Sequence, residues 1–236
     1  MNPINLLILA LFGLSLLFGL YKGFLPTLAN TVGLFLSLSI AYFCYSLVSS
    51  WIALHKDWLE WVIYLSEGAS HIPFQYLEYA RSDVALLAAS DVAEIVRASG
   101  FTAPFDGYIL SNVASQIYAP DLTLLREYFN QTIADSSLNI IAFLLCGGVA
   151  YLISSVLVIF IDTTFRFPRL RLLDWLLALG TALLRGYVIL LALFMLVPLV
   201  LNMLQIEFLT QMVADSSMAQ WFLQGNPFFG WITPYL

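Results

Sequence analysis

Arg185 stands inside a long apolar run, eleven residues after Asp174, with no other charge between them. In a helix that separation is ~16 Å. An arginine near mid-membrane is costly, and such residues face a bundle interior or water and carry function. At the cytoplasmic interface the same residue would only mark the end of a span. An internal echo favours the interface: Lys22-Gly23-Phe24 and Arg185-Gly186-Tyr187 are both basic–glycine–aromatic, and each opens an apolar run. On that reading residues 172–184 form a shallow or re-entrant half-helix, as in transporter architectures, and the fourth span proper covers about 186–204. Otherwise the span starts near Asp174 and stops near Pro198. Both readings stay open at this point.

Other reactive residue types point to little chemistry. His55 and His71 have no ligand-spaced partners, so neither a metal nor a cofactor is expected. No nucleophile elbow, zinc helix motif or phosphate loop is present, so no catalytic residue is assigned and the chain is not expected to be an enzyme. Cys44 and Cys146 lie in or beside apolar runs and read as small core residues. Asp162 and Asp174 could pair with Arg166, Arg169 or Arg171 in a short loop. Those three arginines read first as topology determinants. Headgroup contact is secondary, because clusters that bind anionic lipid usually hold four to eight cations.

The elements around these residues are set by composition. The chain has 236 residues, 61% hydrophobic and 10% charged, against about a quarter charged in soluble domains. Apolar runs of about twenty residues read as membrane-spanning helices, which satisfy their own backbone groups in lipid. Spans are expected near 4–20, 25–54 and 138–161, with the fourth as above. The N-terminal run has no preceding Lys or Arg and no cleavage site, and reads as a retained helix. The net charge of −6 gives no basic patch for nucleic acid.

Residues 55–137 hold four basic and eleven acidic residues. They read as a helical insertion with a helix over 73–99 stopped by Gly100, and shorter ones near 108–118 and 122–132. Asp135, Ser136 and Ser137 are candidate caps for the third span. Trp51 and Trp58 suit an interface. The tail has no Lys or Arg but many aromatics, which suits an interfacial helix. The expected fold class is therefore all-α: an integral membrane protein with four transmembrane helices and an α-helical extracytoplasmic insertion between spans two and three. The expected divisions are 1–54 (spans one and two), 55–137 (acidic insertion), 138–204 (spans three and four, with a basic loop at 162–174) and 205–236 (interfacial tail). Lys22 and the loop arginines place their turns in the cytoplasm, with both termini and the insertion outside.

Read in register, residues 170–186 resemble the second half of the colicin V production protein family, Leu-x-x-x-Asp-x-x-x-Gly-x-x-x-Gly-x-x-[Lys/Arg]-Gly. The matching positions are Leu170, Asp174, Ala178, Ala182, Arg185 and Gly186, with alanines in place of the two family glycines. Small-xxx-small spacing survives, so close helix packing survives with it. The family's first half, Gly-x-x-[Lys/Arg]-Gly-aromatic, is matched by Gly19, Lys22, Gly23 and Phe24. Ala142 and Phe143 also look similar, and an aspartate common near the family's start is Asn5 here.

The resemblance implies a bacterial inner-membrane protein needed for bacteriocin production or export. An oligomeric transporter or channel is the first alternative, motivated by Arg185 and the small-residue stripe. An envelope scaffold recruiting a partner through residues 55–137 is the second. The expected surroundings are the lipid bilayer, with room for a homo-oligomer and for an envelope or secretion partner.

Overall fold

The computed structural model describes residues 2–162, 171–204 and 206–235. Among them no strand occurs, and four helices are long and apolar enough to cross a membrane. The chain is an all-α membrane protein.

Helix α1 (Pro3–Lys22) starts where Asn2 Oδ1 accepts the Ile4 N–H at 2.8 Å, with Pro3 at the position that needs no N–H. It stops at Gly23, whose φ of 87° is one that side chains with a Cβ rarely adopt. Helix α2 (Phe24–Ala53) follows at once. The insertion holds α3 (Lys56–Ser66), α4 (Leu77–Ala80), α5 (Ala89–Ala98) and α6 (Phe105–Ser115), with 3₁₀ turns between α3 and α4 and between α4 and α5. Then come α7 (Leu125–Asp162), α8 (Arg171–Phe194), α9 (Leu196–Leu204), α10 (Glu207–Ala214) and α11 (Ser217–Gln224).

Four sequence expectations change. Residues 73–99 are not one helix: Asp83 caps a 3₁₀ turn and forms a bridge to Leu124, and the helix resumes only at Ala89. Asp135, Ser136 and Ser137 cap nothing, because α7 has already run for ten residues when it reaches them. They are buried within it instead. The shorter helix expected at 122–132 is the start of this same α7. Finally, α8 passes through Arg185 unbroken, so there is no half-helix ending there. The interruption comes at Met195, because the Pro198 ring cannot follow a helical carbonyl four residues back, at Phe194.

The chain forms two compact units. The first contains residues 1–45, 143–194 and 208–226. Within it α8 and α11 pack on α1, and α2 packs on α7 through Tyr45–Phe143 and the close approach of Gly33 to Ser154. The aromatic tail helix α11 is a working part of this unit: Phe222 is buried against Phe12, Tyr187 and Phe194, while Trp221 stays exposed.

The second unit contains residues 46–142, 195–207 and 227–236. Its core is built on the first turns of α7, where Leu125, Tyr128, Phe129 and Ile133 are fully buried, together with Ile95, Phe105 and Ile109 from α5 and α6. Trp51, Trp58, Trp61 and Tyr64 remain exposed, an aromatic set suited to a membrane–water interface.

Candidate functional site

The two halves of the motif meet in the first unit. Helices α1 and α8 run antiparallel, and their small residues pair in steps of four. A Cβ on Gly19 would collide with the Ala182 Cβ and lie 3.3 Å from the Ala178 carbonyl. A Cβ on Gly186 would lie 3.0 Å from the Ser15 Cβ. Ser15 Oγ donates to the Ala182 carbonyl at 2.9 Å. Ala178 and Ala182 are fully buried in this seam. Lipid gives little hydrophobic drive for helices to associate, so close backbone approach and interhelical hydrogen bonds carry the pairing.

At one end of the seam lies Asp174. Its Oδ1 accepts the Phe24 N–H at 3.2 Å, and its Oδ2 would lie 3.1 Å from a Cβ on Gly23. A carboxylate there satisfies an orphan donor at the start of α2 and sits at the positive end of that helix's dipole. Glycine at 23 therefore does two things: it supplies the unusual φ and leaves room for the carboxylate. Thr27 Oγ1 closes the turn on the Gly23 carbonyl at 2.7 Å. Lys22, in the last turn of α1, lies at that helix's negative end.

Arg185 is half-buried among helices of the same unit. Its Nη2 donates to the Tyr151 hydroxyl on α7 at 2.8 Å, and its guanidinium lies 5.0 Å from the centroid of the Phe18 ring. Its Nε is buried with no hydrogen-bond partner. Lys22 Nζ lies 5.1 Å from the same Phe18 ring.

Thus Gly19, Lys22, Gly23, Phe24, Asp174, Ala178, Ala182, Arg185 and Gly186 are assembled in one place, although the two segments are about 150 residues apart. Arg171 opens α8. Arg166 and Arg169, with Leu170, lie outside the described residues. Asn5 accepts from Ser216 Oγ at 2.6 Å; Ser216 also accepts the Ala219 N–H, so Asn5 anchors the cap of α11 to α1.

The second unit contains a polar cluster that the sequence did not single out. Asn112, Thr132, Asp135, Ser136 and Asn139 are all buried. Asp135 accepts from Gln131 at 2.7 Å and from the Tyr118 hydroxyl at 3.0 Å. Burial, then the Asp135 charge, pushes the Tyr118 hydroxyl far above the usual phenol range. The tail enters this cluster as backbone: Asn112 Nδ2 donates to the Pro234 carbonyl at 3.0 Å, and Asn139 Nδ2 to those of Thr233 and Tyr235 at 2.9 Å each. A signal existed, since Thr132, Asp135, Ser136 and Asn139 recur three and four apart and share one helix face. Nothing in the sequence named the tail as their partner.

The second unit also holds a cavity of about 400 Å³ between α5 and α6, lined mainly by Val84, Leu87, Val92, Leu110 and Val113. Among the described residues, no three His, Cys, Asp or Glu side chains converge as metal ligands.

The description "Colicin V production protein" matches residues 103–227, more than half of the chain. The match contains Asp174 to Gly186 and stops short of the Gly19–Phe24 segment that packs against it. No curated protein and no solved structure matches. By the extent of that match, the chain belongs to the colicin V production protein family.

Proposed function

We propose that this chain is a non-enzymatic integral protein of the bacterial inner membrane that supports production or export of a colicin V-like bacteriocin. The family match over residues 103–227 carries the reading. The helix pair gives it a physical basis: the family's charged and small residues form one interlocked seam rather than separate surface features. In this reading the turn at Lys22 faces the cytoplasm, and the termini and the 55–137 insertion face outward. The test is bacteriocin release from a producing strain that lacks the chain. Release should fall and return with the wild-type chain, but not with Asp174→Ala/Arg185→Gln at equal membrane abundance. Undiminished release from the deletion strain would remove the reading.

Arg185 supports a second reading, an oligomeric transporter or channel. A half-buried arginine with an unpartnered Nε, set among apolar helices, is the kind of group that lines an ion or substrate path. Four spans alone make a thin pore, so several copies would be needed. Liposome flux that is equal for wild type and Arg185→Ala would dismiss it. The acidic insertion would serve either reading as the surface for an envelope or secretion partner.

A further inference from the structure

We propose that the groove between α5 and α6 is a docking site for a cationic amphipathic helix of a partner protein. The helix would seat large apolar side chains in the groove and set its Lys or Arg residues against the surrounding acids. The inference deepens, and rests on, the reading of the 55–137 insertion as the surface for a partner.

The groove is an unfilled apolar space of about 400 Å³. Val84, Val92 and Val113 form its buried floor. Its exposed edge is made of alanines, Ala85, Ala89 and Ala114. Side chains this small leave the floor open from outside instead of closing over it. An apolar cavity of about 150 Å³ accepts a benzene ring, so this one has room for roughly two large apolar side chains. Apolar surface continues beyond the edge: Leu86 is 84% exposed, and Ile117, next to the lining residue Gln116, is also exposed. Gln116 gives the lining a polar side chain, which can hydrogen-bond an occupant and fix its orientation. Helix α5 has 10 residues, or ~15 Å, enough for the i, i+3, i+4 and i+7 anchors of a docked helix.

Charge decides what kind of helix fits. Asp83 Oδ1 accepts the Ala85 N–H at 2.8 Å, so a carboxylate sits on the lining turn itself. Asp91 lies in the first turn of α5, between the lining residues Ala89 and Val92, and offsets the positive end of that helix. The last turn of α6 supplies Val113 and Ala114 to the lining and carries no basic residue, so no side chain of that turn offsets its negative end. Arg97 lies in the last turn of α5, at its opposite end, and Arg81 follows α4; neither lines the groove. These surroundings favour a cation beside the apolar occupant. They disfavour an anionic lipid, whose headgroup would meet the carboxylates. They also disfavour a second copy, because its insertion brings the same excess of acid, eleven acidic against four basic residues.

The test uses the full chain in nanodiscs of zwitterionic phosphatidylcholine. The probe is a fluorescent peptide of about 18 residues, long enough to hold a helix, with leucines at i, i+3, i+4 and i+7 and lysines on the opposite face. Fluorescence anisotropy should show saturable binding beyond that to empty nanodiscs. Ala114→Trp, which fills the groove from its edge, should weaken this binding about tenfold. Asp91→Asn should weaken it about threefold and flatten its decline between about 0.05 and about 0.5 M salt. The same peptide with glutamates in place of lysines should not bind. Wild-type affinity in Ala114→Trp, equal binding of the glutamate peptide, or no excess over empty nanodiscs would each overturn the proposal. A dimer that Ala114→Trp dissociates, with no peptide bound, would also overturn it, by assigning the groove to a second copy. Should Ala114→Trp fail to reach the membrane, Ala85→Leu in the lining turn decides the matter, and unchanged affinity there overturns the proposal. Binding is read in vitro, so its failure leaves the bacteriocin reading standing, and undiminished bacteriocin release leaves the binding result standing.

Discussion

Gly19 has no room for a side chain, and the α1–α8 seam turns on that. The Ala182 Cβ and the Ala178 carbonyl occupy the space a Cβ would need, and the carbonyl belongs to backbone that cannot rotate away. Gly19→Leu should force the helices apart at a cost of about 1–3 kcal/mol or more, and Gly19→Ala should cost less. Thermal denaturation in detergent should show this order, whereas Gly13→Ala, with open space around it, should change little. At this scale much of the site was legible. Spacing in fours picked out Gly19 and Gly23 on one helix and Ala178, Ala182 and Gly186 on the other, because close packing needs small residues at each turn of one face. Phe18 and Tyr151 were not legible. Aromatic residues are common in apolar helices, and their link to Arg185 depends on how distant segments pack. The role of Asp174 was only partly visible: it satisfies the start of α2, while its expected partners Arg166 and Arg169 lie outside the described residues.

Among the elements, α7 and the tail departed most from expectation. Local signals set Asp135, Ser136 and Ser137 before an apolar run, where they resembled a cap. The helix ignores them because Leu125, Tyr128, Phe129 and Ile133 already bury one face of it upstream. Asp135 then accepts from the Tyr118 hydroxyl and Ser136 donates to the Pro234 carbonyl, distant partners that no local pattern could reveal. The helix expected over 73–99 failed for the opposite reason: the Val84 N–H donates to the Thr123 carbonyl and the Ser82 carbonyl accepts from Leu125, and those long-range bonds displace the helical ones.

His71 gives this unit a pH dependence. It packs 4.7 Å from the Phe101 ring, which in turn touches Phe129. Burial lowers its pKa below 6.5 and outweighs the Glu67 backbone contact that would raise it. Below 6.5 the unfolded chain therefore binds more protons at this position than the folded one. The contribution of the neutral ring is complete above about 6.5 and declines as pH falls toward the lowered value. Protection factors near residues 68–71, corrected for the intrinsic exchange rate, should fall as pH drops below 6.5, and His71→Phe should flatten that slope. An identical slope in the variant would exclude His71 as its source.

For the molecule as a whole, four apolar helices and the family match make this a membrane protein of the colicin V production protein family. The spans were legible because lipid leaves the backbone few options. The continuity of α8 was not, since a three-residue echo at Lys22 and Arg185 looks the same whether or not the helix breaks. The echo instead reflects convergence: both cations come to the same aromatic ring from opposite directions along an antiparallel pair. That the two motif halves close on each other within one chain gives the functional reading its physical basis. It can be measured with Ser15→Cys/Gly186→Cys in a background lacking Cys44 and Cys146. The separation of 3.0 Å between those positions needs only about 1 Å of relaxation to reach ordinary disulfide geometry. Mild oxidation in membranes should yield a monomeric chain with a reducible internal cross-link in most molecules. Both thiols remaining free, or linking only between chains, would contradict the pairing.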